Sequence, residues 1–445
     1  MLKKVATVLA LSFGATVLVS ATPAAEVEPV RQFPTIQINT TPELWEDRET
    51  WFAGDITIID PRNEEWSLEL TEADIRGRGN STWRHGEGKR PLRFRFAEPT
   101  AILQYEHEAR TWITLANHFD PSLLRNHLVM ELARNLDGLG WTPVSQFVHM
   151  YVNDEYKGVY QITDERDLND YRMDITVDED PTISEFVLER DRRAQASRSP
   201  GNVRGLHYVQ AYGVTYDIRF PSGSLRTEAH GEYVNNFMHE VSRSIRSGDW
   251  DRITDIVDIP SMVDFYIIQE LSRNPDSGFS SLFMSIRNTE DGRKLVMGPV
   301  WDFDIAVGNR GASSVNGTLA ARRNYWFAYL LQVEEFQVIL AERWAEVNEE
   351  ILPRVLESVE ELAYLYNDEF LRNFEQHEVL GTEIWQNPQV IIDIETFDGQ
   401  VEYLIDWVIR RANWFTTFIE AGNFTMNLSE GDFNPDIYAT DSADN

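Results

Sequence analysis

The sequence predicts an α+β fold: a β-rich first part, then a mainly helical second part with a small β element set into it. Three observations carry this. Residues 33–96 alternate apolar and polar positions with period two. From Glu232 onward apolar positions recur at helical spacing. The 445 residues are 42% hydrophobic and 12% aromatic, enough for a large core, with no Gly/Ser/Pro-rich linker long enough to separate domains. One elaborated domain or two tightly packed lobes is expected.

In chain order, "MLKKVATVLALSFGATVLVSATPAAE" has Lys3 and Lys4, an apolar run from Val5 to Ala21, and small residues suited to cleavage at Ala21 or Ala25. Residues 1–25 therefore read as a secretory signal, with a retained membrane anchor as the alternative. The first lobe, 26–166, follows with "TIQINT", "DITIID", "WSLEL", "ADIRGRGNSTW" and "RPLRFRF" as strands and turns. "DPSLLRNHLVMELARNLDG" reads as an amphipathic helix, with Asp120 as its cap, Pro121 in its first turn and Gly138 past its end. "QFVHMYVNDEYKGVYQIT" reads as a hairpin turning at Asn153 to Glu155. Residues 167–230 are polar and irregular, an insertion or a mobile lid with a few strands such as "EFVLER" and "YDIRF". The second lobe, 231–423, carries helices at 232–246, 260–272, about 324–366 and 398–420, and a hairpin, "SLFMSIR" and "RKLVMGPVWDFD", around "NTEDG". The acidic tail 424–445 is expected to fray.

Composition narrows the chemistry. Zero Cys excludes disulfides, thiolate metal sites and Cys nucleophiles. Forty basic against 73 acidic residues give a net charge of −33, which argues against a nucleic-acid partner and suits divalent cations, basic protein substrates or plain solubility in a salty medium. After the signal only Lys89, Lys157 and Lys294 are lysines. No G-x-S-x-G, H-E-x-x-H, Walker A or strand-borne G-x-G-x-x-G is present, and His85, His107, His118, His127 and His149 lack zinc-ligand spacing.

Four pieces remain. In "IRGRGNSTW", Gly77 and Gly79 permit close backbone approach, and Arg76, Arg78, Asn80, Ser81 and Thr82 offer donors; this is a phosphate cradle or an ordinary tight turn. In "GKRPLRFRF", Arg93 and Arg95 share one strand face, able to clamp anionic oxygens, with Lys89 as a point charge; a solvated face is the plain alternative. In "SRNPDSGFSS", Asp276 follows an apolar helix in a loop from which a carboxylate can take a hydroxyl proton, although Pro-Asp-Ser is also good turn chemistry. In "GPVWDFDIAVGN", Asp302 and Asp304 would point the same way from a strand, suiting Mg²⁺, Mn²⁺ or Ca²⁺; alternatively one acid caps a turn and the other pairs with an arginine such as Arg310.

These pieces, with "NHFDPSLLRNHLVMELAR" and "FVHMYVNDEYKGVYQITDE", occur in an order over 75–309 that resembles the CotH kinase-like family, the spore coat protein H relatives. The resemblance implies an atypical protein-kinase-like two-lobed fold. It further implies an exported or cell-surface enzyme that transfers phosphate from ATP, with Mg²⁺, to Ser or Thr of a protein. On that basis Asp276 is the expected catalytic base and Asp302 the expected metal ligand, with Asp304, standing where the kinase element has Gly, as a second. Arg76, Arg78, Asn80 and Ser81 with Lys89 would face the nucleotide. Glu131 is the expected partner of Lys89, unless Arg93 or Arg95 takes the lysine's place. Two other readings stay open: a surface or matrix protein that keeps the fold without turnover, and a Ca²⁺-stabilised carbohydrate-active protein. The mature chain is expected to span no membrane.

Overall fold

The computed structural model describes residues 31–422 and Phe424, apart from Glu87, Arg198, 311–313 and Gln386. The expected signal segment and acidic tail lie outside them, Phe424 excepted. Among the described residues no helix is long and apolar enough to cross a membrane.

Seven strands form the first part: β1 (Thr35–Thr40), β2 (Phe52–Ile59), β3 (Leu68–Gly77), β4 (Leu92–Thr100), β5 (Ala109–Leu115), β6 (Ser145–Val152) and β7 (Glu155–Asp164). They close into a barrel in the order β1-β2-β3-β4-β5-β7-β6. All pairs are antiparallel except the closing one, where β1 runs parallel to β6 with Ile36 opposite Met150. The alternation seen in sequence supplies the inside: Ile36, Ile38, Ile56, Ile75, Leu92, Phe94, Trp112, Val148, Met150 and Ile162 are all buried in one cluster. Arg76 and Arg93, directly opposite each other on β3 and β4, alternate to the outside. The β6–β7 turn places Asn153 and Asp154 at φ 52° and 64°, the left-handed pair that a two-residue hairpin needs.

The expected β-rich first part and mainly helical second part are present, but the first part closes into a barrel and the second part holds a five-stranded sheet of its own, features the expected two-lobed arrangement did not include. That sheet runs β12-β11-β8-β10-β9, built from β8 (Phe186–Arg190), β9 (Tyr208–Ala211), β10 (Val214–Phe220), β11 (Leu282–Thr289) and β12 (Gly292–Met297). Residues 186–220 are therefore structural rather than a separate lid: β8 pairs with both β10 and β11, and Phe186, Leu188, Val209, Tyr216 and Ile218 enter the main core. The long polar loops around these strands hid that role.

Helices α1 (Ser81–His85) and α2 (Arg125–Arg134) belong to the first part. The second has α3 (Glu228–Ser247), α4 (Trp250–Ile256) and α5 (Ile259–Leu271), then α6 (Ala320–Arg323), α7 (Tyr325–Leu330), α8 (Glu334–Glu346), α9 (Leu352–Leu365), α10 (Asn367–Gln376), α11 (Gln389–Ile392) and α12 (Phe397–Glu420). The expected long helix over 324–366 is thus divided; a π-helical turn at Val347–Ile351 precedes Pro353, whose missing N–H suits a helix start. Helix α2 begins later than expected. Asp120 accepts from the backbone N–H groups of Ser122 and Arg125, holding 120–124 as a turn ahead of the helix. Helix α5 is buried on nearly every side and delivers the loop that follows it against the loop after β12.

Candidate functional site

Strand β12 ends at Met297, so "GPVWDFDIAVGN" is a loop and not the strand expected. Gly298 breaks the ladder at φ 111°, and Asp302 sits at φ 73°, left-handed geometry uncommon for any residue but Gly. Surrounding elements hold it there. Ser281 Oγ donates to Asp302 Oδ2 at 2.9 Å, the Phe303 N–H donates to Asn126 Oδ1 at 2.7 Å, Arg125 Nε donates to the Val307 carbonyl at 3.0 Å, and the Val307 N–H donates to the Ser272 carbonyl at 2.8 Å. Arg125 is itself fixed by a fully buried ion pair with Asp120. The two acids therefore converge because the loop is pinned, not because a pleat aligns them.

The convergence has electrostatic consequences. The Asp304 carboxyl is pushed well above its ordinary range, by burial first and then by Asp302, Asp120 and Asp276. Asp276 lies in the turn after α5, its N–H donating to Asn274 Oδ1 at 2.9 Å. Its carboxyl is pushed up to about 6 by burial and then by Asp302, against Arg193, Arg310 and Arg323. Good turn chemistry and a perturbed carboxylate thus coexist at Asp276, whose carboxylate accepts no hydrogen bond among the described residues. The Arg310 guanidinium lies 4.1 Å from the Trp385 ring centroid.

The basic residues divide into two places. Arg78 stacks over Trp301 at 5.6 Å, and burial, its largest influence, lowers it to about 10 despite Glu165 and Asp302. Arg93 forms an ion pair with Glu165, and Arg76 lies opposite Arg93 and over Trp51 at 4.9 Å. Of these three, Arg78 borders the aspartates through Asp302. Arg95 shares the Trp51 ring with Arg76 and is paired to Asp74 at 2.7 Å.

Lys89 is separate. It is only 1% exposed, lies 5.4 Å from the Tyr160 ring centroid, and its Nζ has no hydrogen-bond partner among the described residues. Burial lowers it to about 7, with Asp120 opposing. Lys89 therefore meets the aspartate group only through Asp120. The expected Lys89–Glu131 pair does not form, because Glu131 lies on the α2 surface and binds Arg134 at 2.8 Å, one helical turn away.

The Gly turn is also not an open cradle. A Cβ on Gly77 would lie 2.2 Å from the Trp83 ring and one on Gly79 2.6 Å from Thr82 Oγ1, so the chain's own side chains occupy that room. Asn80 accepts from Arg84 Nη2 at 2.5 Å, and Ser81 starts α1.

Among the described residues no three of His, Asp and Glu group tightly enough to hold a metal ion alone. A carboxylate pair such as Asp302 and Asp304 suits Mg²⁺ differently, since that ion keeps waters and is completed by phosphate oxygens. Sequence reasoning missed Asp120, Glu165, Arg166 and Trp301. Each stands in or beside a quoted motif, but Asp120 read as a helix cap and Glu165 fell just past the hairpin strand.

A family model described as CotH kinase protein matches residues 75–415, well over half of the chain. No curated protein matches it.

Proposed function

We propose a function for this chain, which belongs to the CotH kinase family: a divalent-metal-dependent phosphotransferase that moves phosphate from ATP to a Ser or Thr hydroxyl of a protein partner. The observation that carries the reading is the gathering of Asp276, Asp302 and Asp304 within one another's electrostatic influence, with Arg78 beside Asp302. Phosphoryl transfer asks for those parts: carboxylates for cations, fixed positive groups for the phosphates and a carboxylate to orient the hydroxyl.

In this reading Asp276 accepts the hydroxyl proton; with no hydrogen bond to satisfy and a pKa of about 6, it is mostly ionised at pH 7 and still basic enough to act. Asp302 and Asp304 hold Mg²⁺, with Mn²⁺ or Ca²⁺ as substitutes, and a bound ion supplies positive charge to the phosphate oxygens. Asp304, driven toward its protonated form when alone, regains its charge when a cation compensates it. Arg78, Arg93 and Arg76 take the phosphates; each has a buried Nε without a partner, a donor a ligand oxygen can satisfy. The clamp role thus passes from Lys89 to arginine. A kinase-like relation between the barrel and the helical part belongs to the same proposal, as does export directed by residues 1–25.

The test is transfer of radiolabelled phosphate from ATP to a Ser/Thr-containing protein with Mg²⁺, comparing wild type with Asp276→Asn and Asp302→Asn. Both variants are expected to lose at least a hundredfold in rate. Equal incorporation by all three overturns the site. No binding of ATP in calorimetry favours the non-catalytic surface protein instead, a reading that the occupied Gly turn supports.

A further inference from the structure

Four guanidinium groups, those of Arg76, Arg78, Arg93 and Arg166, gather on the outer face of β3 and β4 and the end of β7, around the enclosed carboxylate of Glu165; a second buried acid, Glu189, also acts on Arg166 but is paired with Arg219, so the two cancel. Glu49, the other acid near Arg76, stands 3.8 Å away and is 65% exposed, so water screens it. The cluster carries roughly three surplus positive charges before Asp302 is counted. In a chain with 73 acidic and 40 basic residues this is a marked local reversal. All four arginines also bury an Nε that has no hydrogen-bond partner among the described residues, that of Arg166 lying 3.7 Å from Glu165 Oε1. Their proximity is costly: Arg76 is lowered by burial and then by Arg93, and Arg78 by burial, with Arg166 and Arg93 adding to it.

The cluster is also rigid. Arg166 lies 4.3 Å from the Trp301 ring centroid and 4.6 Å from that of Phe283, while Arg78 lies 5.6 Å from Trp301. Two guanidinium planes thus rest on one indole, and stacking leaves their in-plane N–H edges for oxygen acceptors. Glu165 is 5% exposed and accepts from the Arg166 backbone N–H at 2.9 Å. Burial raises its pKa, but Arg93, Arg166 and Arg78 together outweigh this and pull it to about 2. Ion pairs join this carboxylate to Arg93 and, at 3.7 Å, to Arg166, and its charge also acts on Arg78. Trp301 immediately precedes Asp302, which joins the cluster to the carboxylate pair.

We propose that Arg166 binds, and Glu165 positions, a polyphosphate chain that runs from Asp302 along this arginine cluster; the inference rests on the phosphotransferase reading and adds two residues to it. Several surplus charges spread over four side chains match a di- or triphosphate better than a single phosphate. Arg166 donates to the chain, and Glu165 acts through the arginines it orients.

Calorimetric titration with inorganic tripolyphosphate and Mg²⁺ tests this without any transfer step. Arg166→Ala is expected to weaken binding about tenfold or more, and Arg166→Lys, which keeps charge but loses the fork and the stack, to recover only part of it. Glu165→Gln makes the site more positive, yet is expected to weaken tripolyphosphate about threefold or more as the guanidinium groups splay apart. Should Glu165→Gln fail to fold, Glu165→Asp, which keeps the charge and shortens the reach, is expected to weaken binding similarly. An Arg166→Ala affinity within twofold of wild type overturns the binding role. Tighter tripolyphosphate binding by Glu165→Gln, or an unchanged affinity in Glu165→Asp, overturns the positioning role. Loss of binding in Arg166→Ala with no transfer by wild type sinks the phosphotransferase reading and keeps the clamp; transfer by wild type with unaltered binding in Arg166→Ala does the reverse.

Discussion

Replacing Lys89 by Met should stabilise the protein, and the gain should depend on pH in a defined way. The lysine is 1% exposed with an unpartnered Nζ, and burial holds it at about 7 against an ordinary 10.5. The unfolded chain keeps this proton up to pH 10.5, whereas the folded chain keeps it only to about 7. Between those values the unfolded state binds more protons, so stability rises with pH across the window. The penalty is complete below pH 7 and gone above 10.5. At ~1.36 kcal/mol per pH unit, the gap corresponds to on the order of 4–5 kcal/mol at full strength; local relaxation and water entry reduce the expected gain to about 2–4 kcal/mol. With an unfolding entropy of about 2 cal/mol/K per residue, that is roughly 2–5 °C in melting temperature. Thermal unfolding of wild type and Lys89→Met at pH 6, 8 and 10 measures it. The difference should be largest at pH 6 and should shrink by pH 10. A variant less stable than wild type at pH 6, or a gain that does not change with pH, refutes the claim that Lys89 is an uncompensated buried charge.

Two further outcomes follow from the same physics. In the metal-free protein the Asp276 carboxyl should titrate near about 6, and Asp302→Asn should lower that value because it removes a neighbouring negative charge; carboxyl carbon NMR reads both, and an unmoved Asp276 would mean that the two acids are not neighbours. Gly77→Ala should cost about 1–3 kcal/mol in urea unfolding, since its Cβ would collide with the Trp83 ring; a neutral effect would show that Trp83 yields freely and that the turn has room for a ligand.

The strands and the site's ingredients could be read from the sequence for local reasons. Period-two alternation placed "TIQINT" as β1 to the residue, and the polar "NDE" marked the β6–β7 turn. Asp302 was recognisable because an acid in an apolar run is expensive unless used, whereas Asp276 alone read as turn chemistry and was singled out by the family resemblance. Missed features depended on partners distant in sequence. Barrel closure needs Ile36 beside Met150, and the second sheet needs β8 beside β11; neither pairing leaves a local trace in either strand. Lys89 and Glu131 looked complementary as charges, but a side chain's direction is fixed by packing, and the two point into different surroundings.

The sequence alone determined which residue types were available: no thiols, three scattered lysines after the signal segment, arginines on alternate strand positions, and acids in one otherwise apolar stretch and one polar loop. Local spacing also set the strands and most helices, because hydrogen bonding and side-chain periodicity act over a few residues. Only tertiary structure decided which charges meet. Electrostatic influence falls with distance and grows with burial, so Asp304 beside Asp302 and Asp120, or Glu165 among three arginines, became distinct chemical groups only when the Arg125 anchor and the Trp301 stack brought their loops together.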